Sequence, residues 1–200
     1  MRKLVVAAIM SLDGYFEGPG GDVMALPMDH TFSEHNAERL RSASTLLLGR
    51  RTYEGFRSYW PPIAGDPEQP PVEREISRLN SAVQKVVVSD SLAPDRTGAW
   101  ADTTEIVPRA AAHRRVAELK DGAGGDILVF GSRTLWHDLL LAGLVDELYL
   151  MVGPALLGGG TQALPGPAAP LRLLESRSRP DSGNVLLRYG ARVPTASRYS

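Results

Sequence analysis

Short apolar runs, most of them ending at a glycine or serine with a helix start close behind, recur along this chain. They restrict its fold more than any other feature. Leu4–Met10, Leu46–Leu48, Lys85–Ser89, Glu105–Val107, Ile127–Phe130 and Val145–Val152 read as strands. Their brevity and nearly unbroken apolar character suit strands buried on both faces. Helical patterns fill the intervals. Thr31-Phe32-Ser33-Glu34 has the form of a capping box and opens a helix to about Ser42. Further helices are expected over Glu73–Asn80, over Ala110–Lys120, and from Gly131-Ser132 to Gly143, with a shorter one over Thr52–Phe56. Pro61–Pro71 reads as a loop. Leu171–Ser176 and Asn184–Tyr189 have no helix between them and should pair antiparallel. The expected fold class is α/β: a three-layer arrangement with a mostly parallel central sheet, helices on both faces and a C-terminal antiparallel strand unit. One domain is expected over residues 1–190, followed by a mobile tail over 191–200.

Composition narrows the function classes. The 200 residues carry 22 Lys and Arg against 23 Asp and Glu, so no broad basic surface marks the chain for nucleic acid or an anionic membrane. Cysteine is absent, which excludes disulfides, thiolate metal sites and a cysteine nucleophile. The start, Met1 to Met10, superficially resembles a signal peptide, but Asp13 follows and no small-residue cleavage site appears. The expectation is a cytoplasmic protein. The four histidines show no ligand spacing, and no metal is expected. Arg109, Arg114, Arg115 and Lys120 read as a solvated helix face.

Two turns have the chemistry of anion sites. Gly49-Arg50-Arg51-Thr52 follows a strand and opens a helix, where free backbone N–H groups and guanidinium forks favour phosphate. Gly131-Ser132-Arg133-Thr134 repeats the pattern. The three-glycine dinucleotide fingerprint and the P-loop sequence are both missing.

In order, AAIMSLDG, LLLGRRTYEGF, KVVVSDSL and ILVFGSRTLWHDLLLAGLVDELYLMVGPALLGGG resemble the dihydrofolate reductase-like superfamily. The nearest likeness is to the reductase domain of the bacterial riboflavin-biosynthesis deaminase–reductase and its stand-alone relatives. The resemblance runs from about Arg2 to Gly190 and implies an NADPH-dependent reductase. It implies backbone contacts from Ala7 and Ala8 to the nicotinamide amide, and phosphate contacts from Gly49, Arg50, Arg51 and Thr52. The arginines are the candidates for the 2′-phosphate. Ser89 and Asp90 would meet the adenosine end. Gly131, Ser132, Arg133 and Thr134 would cradle the pyrophosphate, with Ser132 in place of the second of two glycines common in the superfamily. Leu135 would pack against the cofactor or into the core. Riboflavin-type reductases of this kind also suggest a homodimer built through late strands, to which Val145–Val152 would contribute unless it is internal.

Hydride transfer to a C=N or C=O bond calls for a proton source or charge stabiliser. Asp13, in Ser11-Leu12-Asp13-Gly14, is the first candidate for substrate contact or proton relay; its alternative is to cap a turn before glycine. Asp29 follows a leucine–proline stretch like that of dihydrofolate reductases, with helix capping as the alternative. Tyr15, Phe56, Tyr59 and Trp60 offer aromatic walls for a flat substrate or ordinary core packing. Gly159, within Gly158–Gly160, either approaches a substrate or makes a turn. The substrate would be a small heterocyclic, carbonyl or imine compound, pyrimidine- or pterin-like. The competing functions are dihydrofolate reduction and non-catalytic NADP binding or sensing.

Overall fold

The computed structural model describes residues 1–164 and 170–191. The tail expected beyond Ala191 lies outside the described residues. Strands β1 (Leu4–Ser11), β3 (Ala43–Gly49), β4 (Gln84–Val88), β5 (Thr104–Val107), β6 (Asp126–Phe130) and β7 (Glu147–Gly153) alternate with helices. The helices are α1 (His30–Ser42), α2 (Arg50–Ile63), α3 (Pro71–Ala82), α4 (Ala112–Asp121) and α5 (Arg133–Leu141). β9 (Arg172–Ser178) and β10 (Val185–Gly190) close the described chain. Among the described residues these strands form one sheet in the order β5-β4-β3-β6-β1-β7-β10-β9. The strands from β5 to β7 are parallel, while β10 runs antiparallel to both β7 and β9. This is the mostly parallel sheet with an antiparallel C-terminal unit that the sequence led us to expect.

Period-two alternation divides each central strand between two cores. Val5, Ala7, Leu46, Leu48 and Leu128 face one side with Leu40 of α1, Tyr53 of α2 and Ile76 of α3. Leu4, Val6, Leu47, Ile127 and Val129 face the other with Val116 of α4 and Trp136 and Leu139 of α5. Leu46, Leu47 and Leu48 are all fully buried, and each such side chain contributes roughly 1.5–3 kcal/mol.

Four details differ from the sequence reading. First, α1 starts earlier than the Thr31 box predicts: Asp29 is its N-cap and accepts the Phe32 N–H at 3.1 Å. Second, α2 is longer than expected and carries Pro61 and Pro62 in its last turn. Each proline removes a donor there, but buried Ile63 and the hydrogen bond from Ser77 Oγ to the Trp60 carbonyl at 2.5 Å hold the turn. Third, Lys120 is buried rather than solvated, donating to the Leu144 carbonyl and Asp146. Fourth, β7 is internal, between β1 and β10, and so offers no free edge to a second copy. A small second sheet, β2 (Tyr15–Glu17) with β8 (Thr161–Gln162), was not anticipated. Gly160 allows it, because a Cβ there would lie 2.1 Å from the Glu17 carbonyl oxygen.

Candidate functional site

β3 and β6 are parallel neighbours, with Leu46 opposite Leu128. From β3 the chain continues outward to β4, whereas from β6 it passes beyond β1 to β7. Their carboxyl ends therefore flank a topological switch point, where open α/β sheets bind ligands. α2 begins directly after β3, and α5 begins two residues after β6.

Gly49 and Ser132 are the N-caps of these two helices, and neither helix is capped by a side chain. The nearby hydroxyls brace the opposite turn instead. Ser132 Oγ accepts the Gly49 N–H at 2.9 Å, and Thr52 Oγ1 accepts the Ser132 N–H at 3.0 Å. Ser132 has φ 47°, the only positive φ at a non-glycine among the described residues, and Gly131 precedes it at φ 52°. A Cβ at Gly131 would come within 3.0 Å of Thr52 Cγ2, so glycine is what lets the turns approach. Two uncapped helix starts locked side by side concentrate backbone donors and positive helix ends on one spot. A cradle that a Cβ at 131 would crowd, flanked by arginines, fits a phosphate-bearing cofactor.

The arginines differ in availability. Arg50 pairs with Glu54 at 3.0 Å, and Glu54 also meets Arg96 at 3.5 Å. Arg51 is exposed and has no ion-pair partner among the described residues. Arg133 Nε donates to the Gln162 carbonyl, tying the start of α5 to β8. Thr134 is exposed, while Leu135 is half-buried and packs on the core beneath α5.

Ser89 lies just beyond the end of β4. Its hydroxyl accepts the N–H groups of Ser91 at 3.1 Å and Leu92 at 2.9 Å, which shapes the turn. Asp90 accepts the Arg109 N–H at 2.9 Å and lies 3.5 Å from that guanidinium, so its charge is paired. Ala7 and Ala8 lie on β1 between β6 and β7, with Ala7 on the α1 face and Ala8 packed toward α5.

Asp13 is exposed but fully engaged. Ser11 Oγ donates to it at 2.6 Å, and the N–H groups of Leu157 and Gly158 donate at 3.1 and 2.8 Å. The Ser11 hydroxyl first, then the Gly158 amide, hold its carboxyl below the usual range. A carboxylate so held is a poor proton donor at neutral pH; what the geometry does show is a pin between the β1 and β7 loops. Asp29 is similarly occupied, with Ser182 Oγ donating at 2.5 Å besides the Phe32 amide. Burial opposes its ionisation, but these bonds outweigh burial and hold its carboxyl low.

Phe130, at the end of β6, stands 6.3 Å from Phe56, which meets Trp60 edge-on at 6.2 Å; Tyr59 meets Trp60 at 4.9 Å. Sequence reading named three of these rings and missed Phe130, whose strand position masked it as core. Tyr15 pairs with Gln162 across the small sheet, and its N–H donates to Ser11 Oγ at 2.9 Å. Gly159 approaches Pro19. The Asp13–Gly158, Arg133–Gln162 and Asp29–Ser182 partnerships span up to 153 residues, and no local motif announced them.

A cavity of about 610 Å³ lies over α1, bordered by Thr31, His35, Val72, Met151 and Leu186. It shares no lining residue with the clasped turns. On its rim Arg41 pairs with Glu75, Arg177 with Glu38 and Arg179 with Glu34, while Arg78 forms no ion pair among the described residues. We place the functional site at the switch point, where the open donors are.

Comparison with known proteins identifies the family and agrees with the fold. Residues 2–187 match the model of the RibD C-terminal domain. The Bacillus subtilis (strain 168) protein YyaP is 30% identical over 159 residues, covering 80% of this chain and 78% of YyaP. The Thermotoga maritima diaminohydroxyphosphoribosylaminopyrimidine deaminase/5-amino-6-(5-phosphoribosylamino)uracil reductase superposes with a TM-score of 0.65 at 12% identity, covering 94% of this chain and 56% of that one. Dihydrofolate reductase from Enterococcus faecalis, in a complex with NADP(H), superposes with a TM-score of 0.57 at 15% identity, covering 94% and 95%. The chain belongs to the RibD C-terminal domain family and has the dihydrofolate reductase-like fold.

Proposed function

We propose that this protein is an NADPH-dependent oxidoreductase that reduces a small heterocyclic, carbonyl or imine compound. The observation that carries the reading is the pair of uncapped helix starts clasped by Ser132 and Thr52 at the switch point. Family membership supports it, as does NADP(H) in the similarly folded Enterococcus enzyme. Gly49–Thr52 and Gly131–Thr134 hold the phosphates. Arg51 reads the 2′-phosphate, because Glu54 engages Arg50. The β1 backbone at Ala7 and Ala8 positions the nicotinamide amide, and the Ser89 turn meets the adenosine end.

When bound, the cofactor supplies the hydride. The chain orients the acceptor between the β1 and β7 loops and the aromatic wall of Phe56 and Trp60. Neither Asp13 nor Asp29 is free to give a proton, so the proton comes from solvent and Asp13 acts by fixing the loop beside the acceptor. That use of Asp29 also sets the protein apart from a dihydrofolate reductase, whose acid must meet the pterin. We also propose a homodimer through the β9–β10 unit, because β9 has no buried residue and leaves Leu173 and Leu174 exposed. Sedimentation at micromolar protein should show two copies.

The test is equilibrium titration with NADPH and NADH. Wild type should prefer NADPH. Arg51→Ala should weaken NADPH about tenfold, roughly the value of one charge-assisted pair, and NADH little. Arg50→Ala should have the smaller effect. No binding of either nucleotide by the wild type would end the reductase reading.

A further inference from the structure

Two cations open α2. Arg50 and Arg51 occupy its first two positions, Gly49 provides no side-chain cap, and the first turn holds no acid. Cations are disfavoured at the positive end of a helix, and here they stand beside uncapped backbone N–H groups. The structure answers this from one turn further on. Glu54 Oε2 accepts from Arg50 Nη1 at 3.0 Å, and Glu54 Oε1 lies 3.5 Å from Arg96 Nη2 in the loop after β4. One carboxylate thus draws together guanidinium groups from two segments of the chain.

Helix stability does not explain the arrangement. A cation four residues before an acid is the less favourable order on a helix. Glu54 Oε1 is also buried and accepts no hydrogen bond, so the oxygen nearest Arg96 is held by charge alone. Positive charge is in excess nearby. Arg51 forms no ion pair among the described residues, and neither does Arg57, three residues after Glu54 on α2. Arg57 reaches the same loop as Arg96, because a Cβ at Gly98 would lie 2.7 Å from its Nη1. Of the loop's acids, Asp90 is paired with Arg109, while Asp95 and Asp102 are exposed and form no ion pair among the described residues. Glu54 is the acid that meets these arginines.

We infer that Glu54 is an internal counter-ion for Arg50 and Arg96, and that it limits the preference for NADPH over NADH by competing with the 2′-phosphate for those two guanidinium groups. This rests on the reductase reading and adds to it a residue that tunes cofactor specificity. Arg51, which has no such partner, supplies the preference of the resting protein. Arg96 is drawn on only as far as Glu54 releases it. Because Glu54 Oε1 is buried, it is closed to a ribose hydroxyl, and the carboxylate acts through the arginines rather than on the nucleotide.

Calorimetric titration with NADP+ and NAD+, which differ only in the 2′-phosphate, tests this. Glu54→Gln keeps the shape of the side chain and removes its charge. It should tighten NADP+ about fivefold and leave NAD+ within about twofold. Arg96→Ala should weaken NADP+ by no more than about twofold in the wild-type background, where Glu54 already holds that arginine. In the Glu54→Gln background the same change should cancel most of the gain, a coupling that two independent positions would not show. A Glu54→Gln ratio that is unmoved or lower overturns the inference and leaves Glu54 as a brace between α2 and the loop. A loss of NAD+ affinity also overturns it, since the carboxylate would then be receiving the ribose. If the wild type binds neither nucleotide, the reductase reading and this inference fall together; binding with an unmoved ratio removes the inference alone.

Discussion

Two loop systems share one end of the sheet and are built on opposite principles. Around the ends of β3 and β6, backbone N–H groups are left uncapped, arginines stand close by, and two hydroxyls lock the turns together. Around the ends of β1 and β7, the backbone N–H groups of Leu157 and Gly158 are already taken by Asp13, and the exposed side chains include Leu12, Met24 and Leu156. The first system leaves backbone donors open; the second spends its donors internally and exposes apolar side chains. That difference is why the proposed phosphate contacts lie on one side and the proposed acceptor on the other.

The largest expected break comes from Gly131→Val. A β-branched residue at φ 52°, pressed against Thr52, would part the two turns. NADPH affinity should fall about 100-fold, the scale of a misplacement near 1 Å. Retained affinity would show that the clasp is not the phosphate site.

A finer cut separates the clasp's hydrogen bonds from its strain. Ser132→Ala leaves the Gly49 N–H without its acceptor, which should cost about 1 kcal/mol of stability and weaken NADP+ binding several-fold. Ser132→Gly loses the same hydroxyl but relieves the left-handed backbone. It should melt higher than the alanine variant while binding no more tightly. Identical melting and binding for the two would mean that the conformation at 132 carries no strain.

On the other side, Asp13→Asn should speed hydrogen exchange at Leu157 and Gly158 and raise KM for the acceptor. NADP+ affinity should stay within about twofold, because the two loop systems share no brace through this carboxylate. An affinity loss matching that of Ser132→Ala would show the regions to be coupled. Because Asp13 and Asp29 are already ionised well below neutrality, the kcat profile should show no carboxyl ionisation between pH 6 and 8 from either residue, a range set by their lowered pKa values.

The smallest effect belongs to a control outside both regions. His35 is buried against Tyr149 with neither ring nitrogen hydrogen-bonded, and burial pushes its pKa down to about 4. The unfolded chain therefore binds the extra proton first, and stability should fall as pH drops from 6.5 towards 4. His35→Leu should flatten that slope and raise neutral-pH stability by about 1 kcal/mol, with both ligand affinities unchanged. Thermal melts across that range check it.

Much of the fold was legible because its signals are local. The apolar runs at Leu46–Leu48 and Ile127–Phe130 are too short and too continuous to be anything but buried strands. The lack of a helix between the last two strands implied their antiparallel pairing. The GRRT and GSRT turns were legible as strand-to-helix turns, and α2 and α5 start there. What stayed hidden depends on partners far away in sequence. Asp13 looks the same in sequence whether it relays a proton or pins a loop, and only Leu157 and Gly158 decide between them. Lys120 sits in a charged helix pattern, yet packing against the Leu144 turn buries it. The helix-capping role of Asp29 was legible, and the Phe32 N–H bears it out, but its bond from Ser182, 153 residues on, was not.

By itself the sequence determined the βα alternation, helices on both faces of the sheet and the two glycine-started turns into α2 and α5, because residue type and spacing act over a few positions of chain. Only the tertiary structure decided that Gly49, Thr52 and Ser132 form one clasp, and that Asp13 is bound rather than free. Those outcomes rest on hydrogen bonds between segments about 80 and 145 residues apart, whose geometry exists only once strand order has brought them together.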